Sequence, residues 1–411
     1  MYSAKNLGYR GYFMKKNETW CKRRHKVVTT LLRPIFRLFI FLKYGIRIEK
    51  FKEQGDRAYL ILMNHQTPLD QFFVSLTFRR PVYFLATEDI FSMGILSDLL
   101  RYLVAPIPIQ KGNMDLRAVK TCIRVAREGG TICLAPEGNR TYHGRTLHMR
   151  ASIVSLIRSL KLPVAIFRIE GGYGVEPRWS DVARRGKMRS FVKCVIEPEQ
   201  YAEMTNDELL DLIRTELSVD EARVSGEYVH PQNAQYLERM VYTCPHCGFS
   251  PFESHGDIVE CTRCHLQVRH LPTKELQGVN EPFMHRFVAD WYDWQNGFVN
   301  GTDLLALTQK PVFEDTVRVS LVHAHRRKEV LKKAAAVALY GDRITIDGEE
   351  YSFERISGLS VLGRNKLSFY DGEHYLQMKG SKRFNALKYV NFYYRYKNLT
   401  TGEANGEFLG L

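Results

Sequence analysis

The sequence predicts an α/β fold, with a mainly parallel β-sheet flanked by helices, for the first half of this 411-residue chain. Between residues 58 and 197, short apolar runs that predict buried strands alternate with stretches whose apolar residues recur at helical spacing. This alternation is typical of parallel strands connected by helices. The length is about two to three times that of a typical domain, which predicts two or three domains.

Each element of this half has its own signal. The predicted strands are 58–63, 81–86, 105–109, 131–135, 162–169 and 191–196. The predicted helices are 92–103, 115–127, 147–160 and 205–217. Gly129 and Gly130 end the second helix, because glycine suits the position after a helix C-terminus. Thr205 and Glu208 have the spacing of a capping box, which begins the last helix.

The second half of the chain is predicted to be β-rich. We expect a linker over residues 218–240, a cysteine-rich element over 241–270 and a β-rich accessory domain over 271–411. Turn pairs of glycine and aspartate divide the last of these into short strands, and a helix follows over 383–397. Strands followed by a closing helix resemble the pleckstrin-homology-like fold, and an unrelated β-rich domain is the alternative.

The formal charge of +14 lies mostly in residues 1–50. This segment has 13 lysines and arginines and only two acidic residues, Glu18 and Glu49, which gives it a net charge of +11. A basic arm has two usual partners, nucleic acid or an anionic membrane surface. Bulky apolar residues between 31 and 42 favour the membrane, while interrupting cations and a proline disfavour a spanning helix. We therefore predict an interfacial helix; the alternative is a helix packed on the protein's own core.

Composition excludes several classes of protein. With 45% hydrophobic and 25% charged residues, the chain is neither disordered nor fibrous. No stretch of about 20 residues lacks charge, which excludes a multi-span membrane protein. The cationic N-terminal segment is not followed by a cleavage site of small residues, so no signal peptide is expected. Scattered cysteines in a chain of this size argue against a disulfide framework and for a reducing, cytoplasmic environment.

The first candidate site follows the predicted strand at 58–63. Thr67 is a favourable helix N-cap, and Pro68 suits the first helical position. Asp70 then falls at the third position, where its carboxylate points back toward His65. A histidine oriented by a carboxylate is suited to act as a general base. The alternative is that Asp70 only caps the helix and His65 is a turn residue.

A second candidate site follows the predicted strand at 131–135. Glu137 and Gly138 lie there, and Gly138 allows the backbone to approach a ligand closely. Arg140 offers a donor fork suited to phosphate, and Lys111 adds a cation after another strand. A polar surface turn is the alternative. Because ligands of open α/β sheets bind at the carboxyl ends of strands, we expect the two sites to converge.

These motifs resemble those of the glycerolipid acyltransferase family, in particular the 1-acyl-sn-glycerol-3-phosphate acyltransferases. His65 and Asp70 match its first motif of histidine, four residues and aspartate. The run PEGNRT (136–141) resembles its third motif, PEGTRS, with two substitutions. Residues 107–112, with Lys111 in place of an arginine, resemble the second motif, and residues 162–165 resemble the fourth. The resemblance covers about residues 30–217.

The resemblance implies an acyltransferase domain over residues 51–217. Its reaction moves an acyl group from a thioester of coenzyme A or acyl carrier protein to a glycerolipid hydroxyl. His65 would deprotonate that hydroxyl and Asp70 would orient His65. Lys111, Glu137, Gly138 and Arg140 would bind the acceptor phosphate or shape its site. Arg150 and Ala151 replace a common Lys-Gly pair of the family.

The third candidate site is a metal site formed by two Cys-x2-Cys pairs, Cys244 with Cys247 and Cys261 with Cys264. Two such pairs form a tetrahedral four-sulfur site, which is typical of structural zinc in a zinc ribbon. Because four thiolates complete the coordination shell, the neighbouring histidines are not expected to bind the metal. The element carries few cations, so a protein partner is a better expectation than nucleic acid.

Together these observations predict a membrane-associated acyltransferase at the cytoplasmic face of the membrane, bound peripherally or monotopically. The expected acceptor is a lysophospholipid, 1-acyl-sn-glycerol 3-phosphate, and the product phosphatidate. A non-catalytic lipid-binding scaffold that keeps the fold is the alternative class. The absence of a Gly-x-Ser-x-Gly motif agrees with direct attack of the acceptor on the thioester.

Overall fold

A long helix, α1 (Arg23–Tyr44), begins the ordered elements of the computed structural model, which describes residues 19–87, 90–91, 95–109, 116–323 and 328–401. The strands of the first sheet are β1 (Arg47–Ile48), β2 (Leu60–Met63), β3 (Val82–Thr87), β4 (Ile107–Ile109), β5 (Thr131–Leu134), β6 (Val164–Glu170) and β7 (Arg189–Ile196). The accompanying helices are α2 (Asp70–Thr77), α3 (Ile95–Val104), α4 (Leu116–Arg127), α5 (Ser152–Leu160), α6 (Gly172–Val175), α7 (Pro198–Ala202) and α8 (Asn206–Leu217).

The first sheet has the strand order β1-β7-β6-β2-β5-β3-β4. All neighbouring strands are parallel except β6 and β7. Helices cover both faces, so the central strand β2 is buried along its whole length. Leu60 and Leu62 pack with α4, α5 and α8, whereas Ile61 packs with α1 and α2. The predicted α/β fold with a mainly parallel sheet is confirmed.

The boundaries of one predicted helix differ from the observed ones because a side-chain contact holds part of the predicted segment in a loop. The helix predicted over 147–160 begins only at Ser152, because the preceding residues form a loop that contacts the site described below. The helix predicted from Thr205 is confirmed: Thr205 and Glu208 form both hydrogen bonds of a capping box.

The second half of the chain contains antiparallel sheets. Its strands are β8 (Thr243–Cys244), β9 (Gly248–Phe249), β10 (Phe252–His255), β11 (Ile258–Cys261), β12 (Gln267–His270) and β13 (Leu276–Gly278), followed by helix α9 (Val288–Gly301). Then come β14 (Phe313–Leu321), β15 (Glu329–Leu339), β16 (Arg343–Ile346), β17 (Glu349–Ser352), β18 (Ser357–Leu362), β19 (Lys366–Asp371), β20 (His374–Lys379) and helix α10 (Leu387–Thr401).

The last seven strands form one antiparallel sheet with the order β17-β16-β15-β14-β20-β19-β18, and α10 follows them. The predicted strands with a closing helix are therefore present, although α10 begins four residues later than predicted. The pleckstrin-homology-like assignment stays a prediction. In the sequence, Trp291, Tyr292 and Trp294 indicate a small packed element but not its type. The structure has helix α9 there, with Trp291 and Tyr292 buried in the core of this half.

The stretch that we expected to be a linker, residues 218–240, is packed against both halves of the chain. Glu221, Tyr228 and Leu237 in this stretch are buried. Trp179, from the segment between α6 and β7, lies in the same apolar cluster as Leu237 and the C-terminal sheet. The two halves therefore share a hydrophobic core, and the chain between them is part of that core.

Candidate active site

His65 and Asp70 lie together at the carboxyl end of β2. The Nδ1 atom of His65 is 2.8 Å from Oδ2 of Asp70. The imidazole is 26% exposed, whereas the carboxylate is fully buried. With its proton on Nδ1, the imidazole donates to Asp70 and leaves the lone pair of Nε2 for another partner. No residue in the described part of the chain forms a hydrogen bond with Nε2.

The Asp70 carboxylate is held by three further donors. The N–H groups of Gln66 and Thr67 donate to it at 2.7 and 2.9 Å, and the Thr67 hydroxyl donates at 2.6 Å. Asp70 is the first residue of α2 rather than the third predicted, because residues 67–69 form a turn around its carboxylate. The Asp70 carboxylate therefore binds both the His65 imidazole and the backbone of the turn before α2. It does not cap the helix: Leu69, rather than the predicted Thr67, is the N-cap residue, and no side chain caps the helix start.

Glu137 joins the two sequence motifs. It lies after β5, which is adjacent to β2 in the sheet. Its Oε1 accepts the backbone N–H of His65 at 2.9 Å, and its Oε2 accepts that of Leu147 at 2.7 Å. Burial raises the pKa of the Glu137 carboxyl to about 8, although both N–H donors favour the charged form. Glu137 therefore positions the backbone that carries His65.

Gly138 and Arg140 lie beside this contact. Gly138 has a φ of +70°, a left-handed conformation that glycine adopts without strain. Arg140 donates from Nε to the carbonyl of Gln66 at 3.1 Å and from Nη2 to that of Glu176 at 3.0 Å. The structure thus brings Glu137, Gly138 and Arg140 next to His65. Lys111, the remaining predicted substrate ligand, lies outside the described residues.

Two residues beside His65 that sequence reasoning did not assign fix the loop to β6 and α6. The Asn64 amide exchanges two hydrogen bonds of 2.8 Å with the backbone of Ile169. The Gln66 side chain accepts the N–H of Tyr173 at 2.8 Å. Both are polar residues at the end of a buried strand, where unpaired polar groups are costly. Their position after an apolar run could therefore have predicted that their side chains form buried hydrogen bonds.

A second group, centred on Glu176, was not predicted because its members are far apart in the sequence. The buried carboxylate of Glu176 accepts the Tyr44 hydroxyl at 2.5 Å and lies 3.3 Å from Nζ of Lys43. It also pairs with Arg364 from the turn between β18 and β19. Helix α1, the first sheet and the C-terminal sheet therefore meet beside Arg140.

The four paired cysteines are brought together by β8, β9, β11 and their turns. Their sulfur atoms lie within 4.8 Å of one another, and Sγ of Cys244 is 3.6 Å from that of Cys264. Sulfur atoms bound tetrahedrally at about 2.3 Å from zinc are about 3.8 Å apart, so the donor set fits a metal ion of this kind. The neighbouring His265 instead contacts Glu260 at 2.6 Å.

A family model described as Acyltransferase matches residues 46–169, which contain both motifs. The chain is also similar to the crystal structure of the 1-acyl-sn-glycerophosphate (LPA) acyltransferase PlsC from Thermotoga maritima, with 19% identity and a TM-score of 0.41 over 53% of this chain and 84% of that one. No curated protein matches the chain. Residues 46–169 therefore match the model of an acyltransferase domain.

Replacing Glu137 by glutamine tests its positioning role. A glutamine has one oxygen, so one of the N–H groups of His65 and Leu147 loses its acceptor while buried. We expect a loss of about 1–3 kcal/mol in the free energy of unfolding, measured by denaturant titration. The control is the exposed Glu199→Gln in α7, which should change it by less than about 0.5 kcal/mol. Equal stability of both variants would contradict the role of Glu137.

Metal analysis tests the cysteine site. We expect about one zinc ion per chain, the number for one four-sulfur site. Cys261→Ser should lower the bound zinc severalfold, because serine does not replace a thiolate ligand. The matched control, Cys194→Ser in β7, should keep the zinc content of the parent protein. A zinc-free parent protein would rule out a zinc site.

Proposed function

Because residues 46–169 match the acyltransferase family, we propose that this protein moves a fatty acyl group from an acyl thioester to the hydroxyl of a lysophospholipid. The donor is acyl-CoA or acyl carrier protein, and the acceptor is 1-acyl-sn-glycerol 3-phosphate, which becomes phosphatidate. The observation that carries the proposal is the contact between the buried Asp70 carboxylate and the partly exposed His65 imidazole.

In the proposed reaction, Nε2 of His65 takes the proton of the acceptor hydroxyl while its oxygen attacks the thioester carbonyl. The carbon–sulfur bond then breaks, and the imidazolium returns the proton to the leaving thiolate. Asp70 keeps the Nδ1 proton in place and stabilises the imidazolium that forms between these steps. This scheme needs no serine or cysteine nucleophile, because the acceptor oxygen itself attacks the thioester.

The other proposed site residues act around this pair. The hydrogen bonds of Glu137 support a role in shaping the loop that carries His65. Gly138 provides the tight turn between Glu137 and Arg140. Arg140 has two backbone partners that set its position, and its guanidinium is the proposed phosphate ligand together with Lys111.

A membrane surface is the proposed location, and the outer face of α1 supports it. Apolar side chains recur at three- and four-residue intervals along that face and are each about 50–75% exposed: Val27, Leu31, Ile35, Leu38 and Leu42. The opposite face packs on the protein, where Ile40 and Tyr44 are buried. One face therefore fits the core-packing alternative, while the other is free for an acyl layer.

Helix α3 extends this apolar surface. Ile95, Leu99 and Tyr102 lie on its outer face and are 88%, 49% and 58% exposed. Arg24 connects the two helices by donating to the Tyr102 carbonyl at 3.0 Å and stacking on its ring. Exposed apolar side chains on two neighbouring helices are typical of a binding face. We propose that it contacts anionic lipid at the cytoplasmic face of the membrane.

None of the described helices is both long enough and apolar enough to cross a membrane.

For the cysteine element we propose a structural role with bound Zn²⁺. Trp291 of α9 donates from Nε1 to the carbonyl of Thr243, beside the first cysteine, at 3.1 Å. The element is thus fixed to the core of the second half of the chain. A protein partner remains a proposal for its exposed turns and for the C-terminal sheet.

Replacing His65 by alanine tests the mechanism. A general base contributes about 100- to 10,000-fold to a rate, so we expect acyl transfer from acyl-CoA to lysophosphatidate to fall by at least about 100-fold. The reaction is followed by release of free coenzyme A. The control, His374→Ala on the exposed side of β20, should keep the parent rate. Unchanged activity in His65→Ala would eliminate this mechanism.

Changing the outer face of α1 tests membrane binding. The triple variant Leu31→Gln, Leu38→Gln and Leu42→Gln removes side chains that are already exposed, so folding should not change. We expect at least about tenfold weaker binding to anionic vesicles in a flotation assay, because each leucine loses apolar burial in the bilayer. The control pair is Val330→Gln and Leu331→Gln on β15. Equal binding of the triple variant and the parent would refute the proposed face.

A further inference from the structure

The turn between β18 and β19 carries Arg364 to the acyltransferase domain. Its guanidinium pairs with the Glu176 carboxylate and lies 3.4 Å from Asp181. Arg178 fixes the turn, because it donates to the carbonyls of Gly363 and Val361 at 3.0 Å each. Arg364 is therefore held in place by a neighbour that is itself buried.

Lys43 approaches the same carboxylate from α1, at 3.3 Å. The side chains of Lys43 and Arg364 are 32% and 27% exposed, close to the 26% of His65, whereas Glu176 is almost completely buried. Two cations from distant parts of the chain thus share one buried anion and keep part of their surface accessible.

A short series of hydrogen bonds joins this pair to His65. The backbone carbonyl of Glu176 accepts Nη2 of Arg140, and Nε of Arg140 donates to the carbonyl of Gln66, the residue after His65. The cations Lys43 and Arg364 therefore lie on the Arg140 side of the candidate active site.

The charges of this region do not balance. Arg140 and Arg178 donate to backbone carbonyls, and within the described residues neither has a carboxylate at ion-pair distance. Burial lowers the pKa of Arg140 to about 10, which shows the cost of holding its charge away from water. The carboxylates Glu176 and Asp181 are already shared by other cations. A bound anion would compensate the excess positive charge.

We propose that Lys43 and Arg364, next to Arg140, bind a phosphate group of a substrate beside His65. The C-terminal sheet would then supply part of the acyltransferase site. The guanidinium fork and the ammonium group both suit phosphate oxygens. The identity of the substrate rests on the proposed function, and the phosphate belongs either to the acceptor or to coenzyme A.

A role for Arg364 in docking the two domains alone is the simpler alternative. Two other arginines already connect the C-terminal sheet to the first half of the chain. Arg178 joins the Arg140 carbonyl to the β18–β19 turn, and Arg239 joins Asp181 to the carbonyl of Lys382. Both of these arginines are almost completely buried, as interface residues are, whereas Arg364 keeps an accessible part.

Calorimetric titration of the full chain tests the site without any need for activity. In this experiment every protein, including the reference, carries His65→Ala so that no reaction occurs during the titration. The probes are glycerol 3-phosphate and free coenzyme A. We expect Arg364→Gln and Lys43→Gln each to weaken binding of one probe by about tenfold or more, because each removes a charge-assisted hydrogen bond. Weaker binding of glycerol 3-phosphate assigns the site to the acceptor, and weaker binding of coenzyme A assigns it to the donor.

Two further variants separate binding from docking. Arg355→Gln removes an arginine that pairs with Asp371 in the same sheet and should bind both probes like the parent. Arg364→Lys keeps a positive charge and should retain part of the lost affinity. Lys43 belongs to α1 rather than to the C-terminal sheet, so its variant reports on the site even if Arg364→Gln disturbs domain docking.

Unchanged affinity for both probes in Arg364→Gln and Lys43→Gln would overturn the proposal and leave Arg364 as a docking residue. The KM of the active protein gives a second readout: it should rise for the substrate whose phosphate is bound, with kcat little changed. A wild-type protein that transfers no acyl group would instead overturn the proposed function, and the titration would still decide the phosphate site.

Discussion

The buried carboxylate of Asp70 is the constraint on which the candidate site depends. It accepts four donors: the imidazole of His65, the N–H groups of Gln66 and Thr67, and the Thr67 hydroxyl. A buried charge is tolerated only when hydrogen bonds replace its lost hydration. The hydrogen bonds to this carboxylate therefore shape the turn between β2 and α2 and also fix the orientation of His65.

A second buried carboxylate, that of Glu137, connects the His65 loop to the loop after the neighbouring strand β5. Because it binds the backbone of His65, the loop after β5 cannot move without moving the first motif. The same loop is also held by the second half of the chain. His143 stacks on Tyr292 of α9, and Arg145 lies 3.0 Å from Asp290 of the same helix. The element that follows the four cysteines is thus not remote from the site, contrary to the simplest view of a separate zinc ribbon.

Sequence patterns predicted most of the first sheet, because buried parallel strands are continuous apolar runs and their helices repeat every three to four residues. They also predicted that His65, Asp70, Glu137 and Arg140 would meet at one end of the sheet. The late start of α5 and the position of α9 were not predictable in this way. Residues before α5 are fixed by the buried Glu137, and α9 owes its order to aromatic residues packed within a mixed core.

The sequence by itself determined the α/β class, the pairing of His65 with Asp70 and the grouping of the four cysteines, because each depends on residues close together in the chain. Only the tertiary structure decided that Glu137 binds backbone, that Arg140 has carbonyl partners, and that Lys43 and Arg364 meet at Glu176. These contacts join residues between 36 and 188 positions apart, and such contacts leave no periodic trace in a sequence. The Arg364 contact in particular arises from the way the two halves of the chain pack, and that packing brings the C-terminal sheet to the end of the first sheet that carries His65.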